Sequence, residues 1–256
     1  MNYTTEDNDD ELMINSVETG VDGDLINNLH PTLINKNHIA VFVGKSKSGK
    51  SNLLVNLLSK GKNKKGFRQS YKKVYHDVII VSPSLKSFKK NIFEDIDEEK
   101  QFSVLNKNTL DFIDTFTETN SDLERNTLVI MDDVGSSLRH PTNEREIGLQ
   151  TQKHRHRRCS WWIVAQKYRD LPTSLRANLS ALYLFRPISL KELDAIYEEL
   201  LCFKKNELIP FINWVFDKKF NFMFIDMSLE KSNQPIYYKN FKKIIFGNDN
   251  NETTLV

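Results

Sequence analysis

Five apolar runs along the chain predict buried β-strands. Each run is nearly continuous instead of alternating with polar residues, which is typical of strands covered on both faces of a sheet. The runs cover residues 38–44, 74–83, 127–134, 160–166 and 181–187. A helical stripe is formed by Leu53, Leu54, Leu57 and Leu58, and helical periodicity returns in residues 190–201. Strands alternating with helices predict an α/β fold with a mostly parallel sheet flanked by helices.

The segments between and after these runs carry weaker patterns. Residues 84–126 are predicted to be mostly helical, with candidate helices in FEDIDEEKQF and DFIDTFTETN. A charged helical connection is predicted over residues 136–158. A C-terminal β-hairpin is predicted over residues 213–227, with its turn at 217–219.

Composition narrows the class of protein. With 39% hydrophobic and 27% charged residues, the 256-residue chain is typical of globular proteins. No stretch approaches the roughly 18 consecutive apolar residues of a membrane helix, and the N-terminus has neither the basic nor the apolar region of a signal peptide. Cys159 and Cys202 are the only cysteines, which excludes a disulfide framework and favours a reducing, intracellular location.

Charge is unevenly distributed along the chain. The first 35 residues hold eight acidic side chains and no Lys or Arg, while all 36 basic residues lie further on. Residues 1–28 are therefore predicted to be an acidic, flexible tail, followed by one domain over residues 29–256. The basic body suits a partner such as nucleic acid, although a lysine-rich solvated surface explains the charge equally well.

The segment GKSKSGKS at 44–51 matches the phosphate-loop pattern G-x-x-x-x-G-K-[ST], directly after a strand and at the start of a helix. Its glycines allow the tight turn that points backbone amides at phosphate oxygens. Lys50, expected to face solvent before nucleotide binds, would contact the β- and γ-phosphates, and Ser51 would ligate Mg²⁺. The expected nucleotide contacts are Gly44, Lys45, Ser46, Lys47, Ser48, Gly49, Lys50, Ser51 and Asn52. The alternative is a Gly/Ser/Lys-rich surface turn.

Polar side chains end two other predicted strands. Asp132 is a candidate Mg²⁺ ligand, and Asp133 a candidate base for the attacking water; a solvated turn is the alternative. Gln166 is a candidate contact to the γ-phosphate or that water, or else a strand-capping residue. The strand at 74–83 separates the phosphate loop from the aspartates, which is typical of RecA/ASCE-like P-loop NTPases with an added strand. That class usually has Glu where this chain has Asp133.

These motifs, followed by RHRRCSWWIVAQ (155–166) and LRANLSALYLF (175–185), resemble the poxvirus-type genome-packaging ATPases of the FtsK/HerA superfamily. The resemblance spans about residues 36–227. It implies an enzyme that hydrolyses ATP with Mg²⁺ and translocates double-stranded DNA into a preformed capsid as a ring of six or five copies. It further implies a capsid or portal-vertex partner, and a location in the host cytoplasm, the viral factory or the virion.

The resemblance also assigns roles to individual residues. It implies that Gly44–Ser51 is the Walker A loop, Asp132 and Asp133 the Walker B pair, and Gln166 the sensor glutamine. Arg155 with His156, and Arg176 with Asn178, match the two further motifs of the family. One of these arginines would act on a neighbouring subunit's ATP. We expect both near the carboxyl edge of the sheet.

Several alternatives stay open. A P-loop nucleotide or polynucleotide kinase, and a weakly hydrolysing ATP-dependent scaffold, are rival functions. The set His154, His156 and Cys159 lacks a fourth ligand for structural zinc and lies among arginines. The basic run 60–73 offers DNA-phosphate contacts with Phe67 and Tyr71 as stacking partners, or is a solvated loop.

Overall fold

The computed structural model describes residues 26–59, 70–84, 96–187, 189–201, 204–228 and 232–246. Within these residues, nine strands form one sheet in the order β3-β2-β4-β5-β1-β6-β7-β8-β9. The strands are β1 (Ile39–Val43), β2 (Asp77–Val81), β3 (Gln101–Phe102), β4 (Thr127–Asp132), β5 (Cys159–Ala165), β6 (Ala181–Phe185), β7 (Phe222–Asp226), β8 (Ile236–Lys239) and β9 (Lys242–Lys243).

In the described part of the chain, seven α-helices connect or flank these strands. They are α1 (Lys50–Ser59), α2 (Lys107–Asp122), α3 (Gly135–Leu138), α4 (Pro141–Gln152), α5 (Thr173–Arg176), α6 (Leu190–Leu200) and α7 (Leu208–Val215). Asn106 caps α2 by accepting from the backbone amide of Thr109, and Ser189 caps α6 in the same way. Within the described ranges, no helix has the length and apolarity needed to cross a bilayer.

The pairing changes once across the sheet, from parallel to antiparallel. The six strands from β3 to β6 pair in parallel, whereas β6, β7, β8 and β9 pair antiparallel. At the centre, Val43 of β1 pairs with Ala165 of β5 and Leu184 of β6. The α/β fold with a mostly parallel sheet and a C-terminal antiparallel hairpin is confirmed. In the sheet, β5 lies between β1 and β4. The predicted strand at 74–83 contains β2, which lies on the far side of β4.

The core lies on both faces of the central strands, which explains their continuous apolar sequences. All seven residues of β5 are buried, and its adjacent tryptophans enter opposite clusters. Trp161 packs with Ile39 and Val129 on one face, while Trp162 packs with Phe42 on the other. These rings are therefore part of the core and unable to stack on bases.

The predicted hairpin at 213–227 is wrong in position. Residues up to Val215 form α7, because Leu208, Ile212 and Val215 recur at helical spacing and are buried together. The C-terminal hairpin is formed instead by β7 and β8, which pair antiparallel.

Two helix predictions also need correction. FEDIDEEKQF forms a short 3₁₀ turn at Glu98–Lys100 and the edge strand β3, with residues before 96 outside the described part. Residues 153–158 are turns, so the helical connection ends with α4 at Gln152. DFIDTFTETN does lie within α2.

Candidate active site

The connection from β1 to α1 is the predicted phosphate loop, and two of its positions require glycine. A β-carbon built on Gly44 would lie 2.7 Å from Cβ of Phe185 and 2.9 Å from Oγ of Ser48, which is closer than packing permits. Gly49 has a φ of 112°, a conformation that side chains with a β-carbon rarely adopt. The loop therefore approaches β6 too closely for any larger residue.

Lys50 is buried at the start of α1, with 9% of its surface exposed. Its Nζ donates to the carbonyl oxygens of Gly44 (2.5 Å) and Lys45 (3.0 Å). The prediction that it faces solvent is wrong, because the loop folds around the ammonium. Burial lowers the pKa of Lys50, and the charges of Asp132 and Asp133 oppose that decrease.

Asp132 is the last residue of β4, pairs in register with Val164 of β5 and is partly buried. Burial raises the pKa of its carboxyl group above the ordinary value; the neighbouring Asp133 adds to the increase and Lys50 opposes it. A raised pKa of this kind would oppose metal binding, because a metal binds the carboxylate and not the acid.

Asp133 follows the strand in an exposed bend with a φ of 57°. In this left-handed region Asp and Asn are enriched among residues other than glycine. The bend thus gives a physical reason for Asp at a position where related ATPases usually have Glu. Gln166 follows β5, is exposed, and its Nε2 lies 3.4 Å from Oδ1 of Asp133 as a weak donor.

A cleft of about 340 Å³ brings together seven of the fourteen predicted site residues. Its lining residues are Ser46, Lys47, Lys50, Ser51, Ser84, Asp132, Asp133, Val164, Ala165 and Gln166. The hydroxyl of Ser51 and the carboxylates of Asp132 and Asp133 are the hard oxygen donors that Mg²⁺ prefers. Ser48 Oγ, in the same loop, is buried and has no partner among the described residues. These groups fit a magnesium nucleotide.

Ser84 is a lining residue that the sequence interpretation missed. It follows β2, where the Ser82 and Ser84 hydroxyl oxygens lie 3.0 Å apart. Two serines flank Pro83 at the end of a predicted strand, and the carboxyl end of that strand lies at the same edge of the sheet as the phosphate loop. This pair was the signal that could have found Ser84.

Neither candidate arginine lies in this cleft, and their expected position near the carboxyl edge is wrong. Arg155 is exposed in the turn that precedes β5, so it lies at the amino end of that strand. Arg176 ends α5 just before β6 and pairs with Glu199. Arg176 and Met227 line the same cavity. Met227 directly follows Asp226, which pairs with Ala181, the first residue of β6. Both therefore lie on the opposite edge.

Other candidate sites are absent from the described part of the chain. It holds no group of three or more His, Cys, Asp or Glu side chains arranged to bind a metal, and His154 and Cys159 are buried. Tyr71 is buried too, and its hydroxyl donates to the carbonyl oxygen of Ile34 at 2.6 Å, so it is unable to stack on DNA. Phe67 and the rest of 60–69 lie outside the described residues.

Solved structures share this fold. The DNA-packaging ATPase B204 of Sulfolobus turreted icosahedral virus matches with a TM-score of 0.58 and 14% identity, over 80% of this chain and 98% of that chain. The genome-packaging NTPase B204 of Sulfolobus turreted icosahedral virus 2, in complex with AMPPCP, gives 0.54 and 17%, over 80% and 99%. EssC (ATPases 2 and 3) of Geobacillus thermodenitrificans gives 0.51 and 12%, over 84% and 41%. At these identities, the likeness concerns the fold.

Sequence comparison supplies the family. Curated proteins provide no significant match to the chain. A family model described as "Poxvirus A32 protein" matches residues 29–253, which is most of the chain and includes every residue of the cleft. This match confirms the resemblance that the motifs indicated. The chain belongs to the poxvirus A32 protein family.

Proposed function

We propose that this protein is an ATPase that translocates double-stranded DNA and packages a viral genome into a preformed capsid. The observation that carries the proposal is the meeting of Lys50, Asp132, Asp133 and Gln166 in one cleft beside a phosphate loop. In this proposal the four residues would supply a cation, a metal-binding carboxylate, a base and an orienting amide around one γ-phosphate.

Each residue of the cleft has a distinct chemical task. The loop amides and the Lys50 ammonium bind the β- and γ-phosphates, while Ser51 and Asp132 hold Mg²⁺. When bound by these two residues, Mg²⁺ would supply positive charge that neutralises the phosphate oxygens. Gln166 orients the attacking water and Asp133 accepts its proton. The water oxygen forms a bond to the γ-phosphorus as the bond to the bridging oxygen breaks, which releases ADP and inorganic phosphate.

The DNA and capsid parts of the proposal rest on the charge of the chain and on its similarity to solved structures. The basic body of the chain suits a polyanion, and the similar B204 is named as a DNA-packaging ATPase. We infer a ring of six or five copies around double-stranded DNA, with a capsid or portal-vertex protein as the docking partner.

The test is ATP turnover with and without double-stranded DNA, in the wild type and in Asp133→Asn. We expect multiple-turnover phosphate release that DNA stimulates. Asp133→Asn should retain Mg-ATP through Asp132 and Ser51 but hydrolyse it about 10²-fold more slowly, the scale of a lost general base. Transfer of phosphate to an acceptor would indicate a kinase, binding without turnover a scaffold, and normal hydrolysis by Asp133→Asn a different base.

A further inference from the structure

An exposed aromatic side chain borders the phosphate loop on the side away from the carboxylates. Phe220 has 56% of its surface exposed. A β-carbon built on Gly49 would lie 3.4 Å from Cδ1 of Phe220 and 3.3 Å from Cε1 of Phe185. The two rings therefore lie against the same point of the loop, but Phe185 is buried in the core whereas Phe220 is accessible.

The backbone of Phe220 is costly for an aromatic residue. Its φ is 69°, in the left-handed region, where bulky side chains are genuine outliers. An exposed ring in a strained conformation contributes little to folding. Such strain persists where the surrounding structure imposes it, and it concentrates at ligand-binding sites.

The turn that carries Phe220 is held by side-chain amides. Nδ2 of Asn221 donates to Oδ1 of Asp217 at 2.6 Å and to the carbonyl oxygen of Val215 at 3.3 Å. Asn240, between β8 and β9, donates to Oδ1 of Asn221 at 2.6 Å. The turn is thereby fixed to the end of α7 and to the C-terminal strands, so that the ring has a defined position beside the loop.

The position of Phe220 relative to the carboxylates indicates which end of a bound nucleotide would lie near its ring. Asp132 ends β4 and Gln166 follows β5, both on one side of β1, whereas Phe185 ends β6 on the other side. A triphosphate with its γ-phosphate at the carboxylates would cross the loop toward β6, and its nucleoside would then emerge on the side where Phe220 is exposed.

We propose that Phe220 stacks on the base of the bound nucleoside triphosphate. The inference rests on the proposed ATPase function and adds a base-binding residue to it. Every base has a π-face, so stacking on a phenyl ring tolerates different bases. Phe220 therefore contributes affinity for ATP and GTP alike and leaves base selectivity to other groups.

The experiment compares two ligands by isothermal titration calorimetry: Mg-ATP and magnesium tripolyphosphate, which has the phosphates but no base. We expect Phe220→Ala to weaken Mg-ATP binding about 5-fold or more, the lower end of what a base–aromatic stack contributes. Tripolyphosphate affinity should stay within about 2-fold, because its contacts are those of the loop. Phe220→Tyr should restore ATP affinity. Trp214→Ala, which removes an exposed ring from α7 in the same region, is the control and should change neither affinity.

The outcomes separate this inference from the function on which it rests. Wild-type protein that binds neither ligand contradicts the proposed ATPase. Wild-type protein that binds both, with an Mg-ATP affinity unchanged in Phe220→Ala, overturns the stacking role and leaves the ATPase standing. Equal loss for both ligands in Phe220→Ala would mean that the ring supports the loop and does not contact the base, which also overturns it.

Discussion

At the scale of single residues, Lys50 connects the structure of the loop to its chemistry. The ammonium is desolvated, holds two loop carbonyls, and faces the two aspartates of the cleft. A buried cation of this kind is costly unless it is matched by charge or by dipoles. Here the carbonyl oxygens and Asp132 with Asp133 supply that compensation, and a bound polyphosphate would add to it.

Lys50→Ala should therefore abolish ATP turnover and weaken nucleotide binding by about tenfold or more, the value of a hydrogen bond to a charged group. Because the loop carbonyls lose their donor, the free energy of unfolding should also fall, by about 1 kcal/mol, with the fold retained. Turnover, calorimetric binding and urea denaturation measure the three effects. Lys191→Ala, at an exposed lysine of α6, is the control and should change none of them. Normal hydrolysis by folded Lys50→Ala would contradict the enzyme assignment.

The residues of the site differ in how far the sequence could predict them. Gly49, Lys50 and Asp132 lie in local patterns that follow strands, and the carboxyl ends of parallel strands meet at one edge. Their meeting therefore follows from order along the chain. Phe220 reaches Gly49 only through the antiparallel return of β7 and the turn before it, so no local pattern indicates that contact.

At the scale of elements, the segment before β1 is attached to the sheet through His38. Its Nε2 accepts from Nε1 of Trp162 at 2.9 Å, and its Nδ1 donates to the carbonyl oxygen of Asn35. The tautomer is thus fixed, because a protonated ring would aim a second N–H at the indole N–H. Burial lowers the pKa of His38 to about 4, although the hydrogen bond to Asn35 opposes that decrease.

This arrangement predicts a pH dependence of stability. Since the folded-state pKa lies below the ordinary value, the unfolded chain binds more protons, and the contribution of neutral His38 is present above about pH 6.5 and is lost as pH falls toward 4. The wild type should exceed His38→Gln in free energy of unfolding at about pH 7.5. That difference should shrink by about 2 kcal/mol at about pH 5, as urea denaturation would measure. A difference independent of pH would contradict the assigned tautomer.

Element prediction succeeded where burial alone decides the structure. The runs that became β1, β4, β5 and β6 are apolar because both faces are covered, and no other element suits a short continuous run between turns. The hairpin prediction over residues 213–227 was wrong because the aromatic and apolar positions of α7 and β7 follow each other closely. Treating the two elements as one pattern hid the helical period of α7.

At the scale of the whole molecule, the nucleotide cleft lies at one edge of the sheet, whereas Arg155 and Arg176 lie at the opposite edge. The cleft lies at the carboxyl ends of β1, β4 and β5, whereas Arg155 precedes β5 and Arg176 precedes β6. The sequence could have predicted this, since a residue directly before a parallel strand lies at its amino end. An arginine on that edge serves an ATP site only if the amino edge of one subunit meets the carboxyl edge of the next. Such a head-to-tail interface is the kind that closes into rings.

The proposed ring therefore predicts complementation between two inactive variants. Arg155→Ala should bind ATP almost normally yet lose hydrolysis by about 10³-fold or more, the contribution of an arginine supplied in trans. Mixing it with Asp133→Asn should restore part of the activity, because mixed rings contain interfaces where an intact Asp133 faces an intact Arg155. Phosphate release against the mixing ratio, with solution mass, measures this.

Arg176→Ala needs a separate control, because Arg176 also pairs with Glu199 in its own subunit. Glu199→Gln breaks that pair but leaves the guanidinium available. If Arg176 serves a neighbouring subunit, Glu199→Gln should keep its hydrolysis rate. If the pair only stabilises the fold, Glu199→Gln should lose as much hydrolysis as Arg176→Ala. An active monomer, with a rate per chain that is independent of concentration and unaffected by either arginine, would contradict the ring. It would also mean that the cleft hydrolyses ATP with the groups of one chain alone, and the distance of both arginines from their own cleft would then have no catalytic significance.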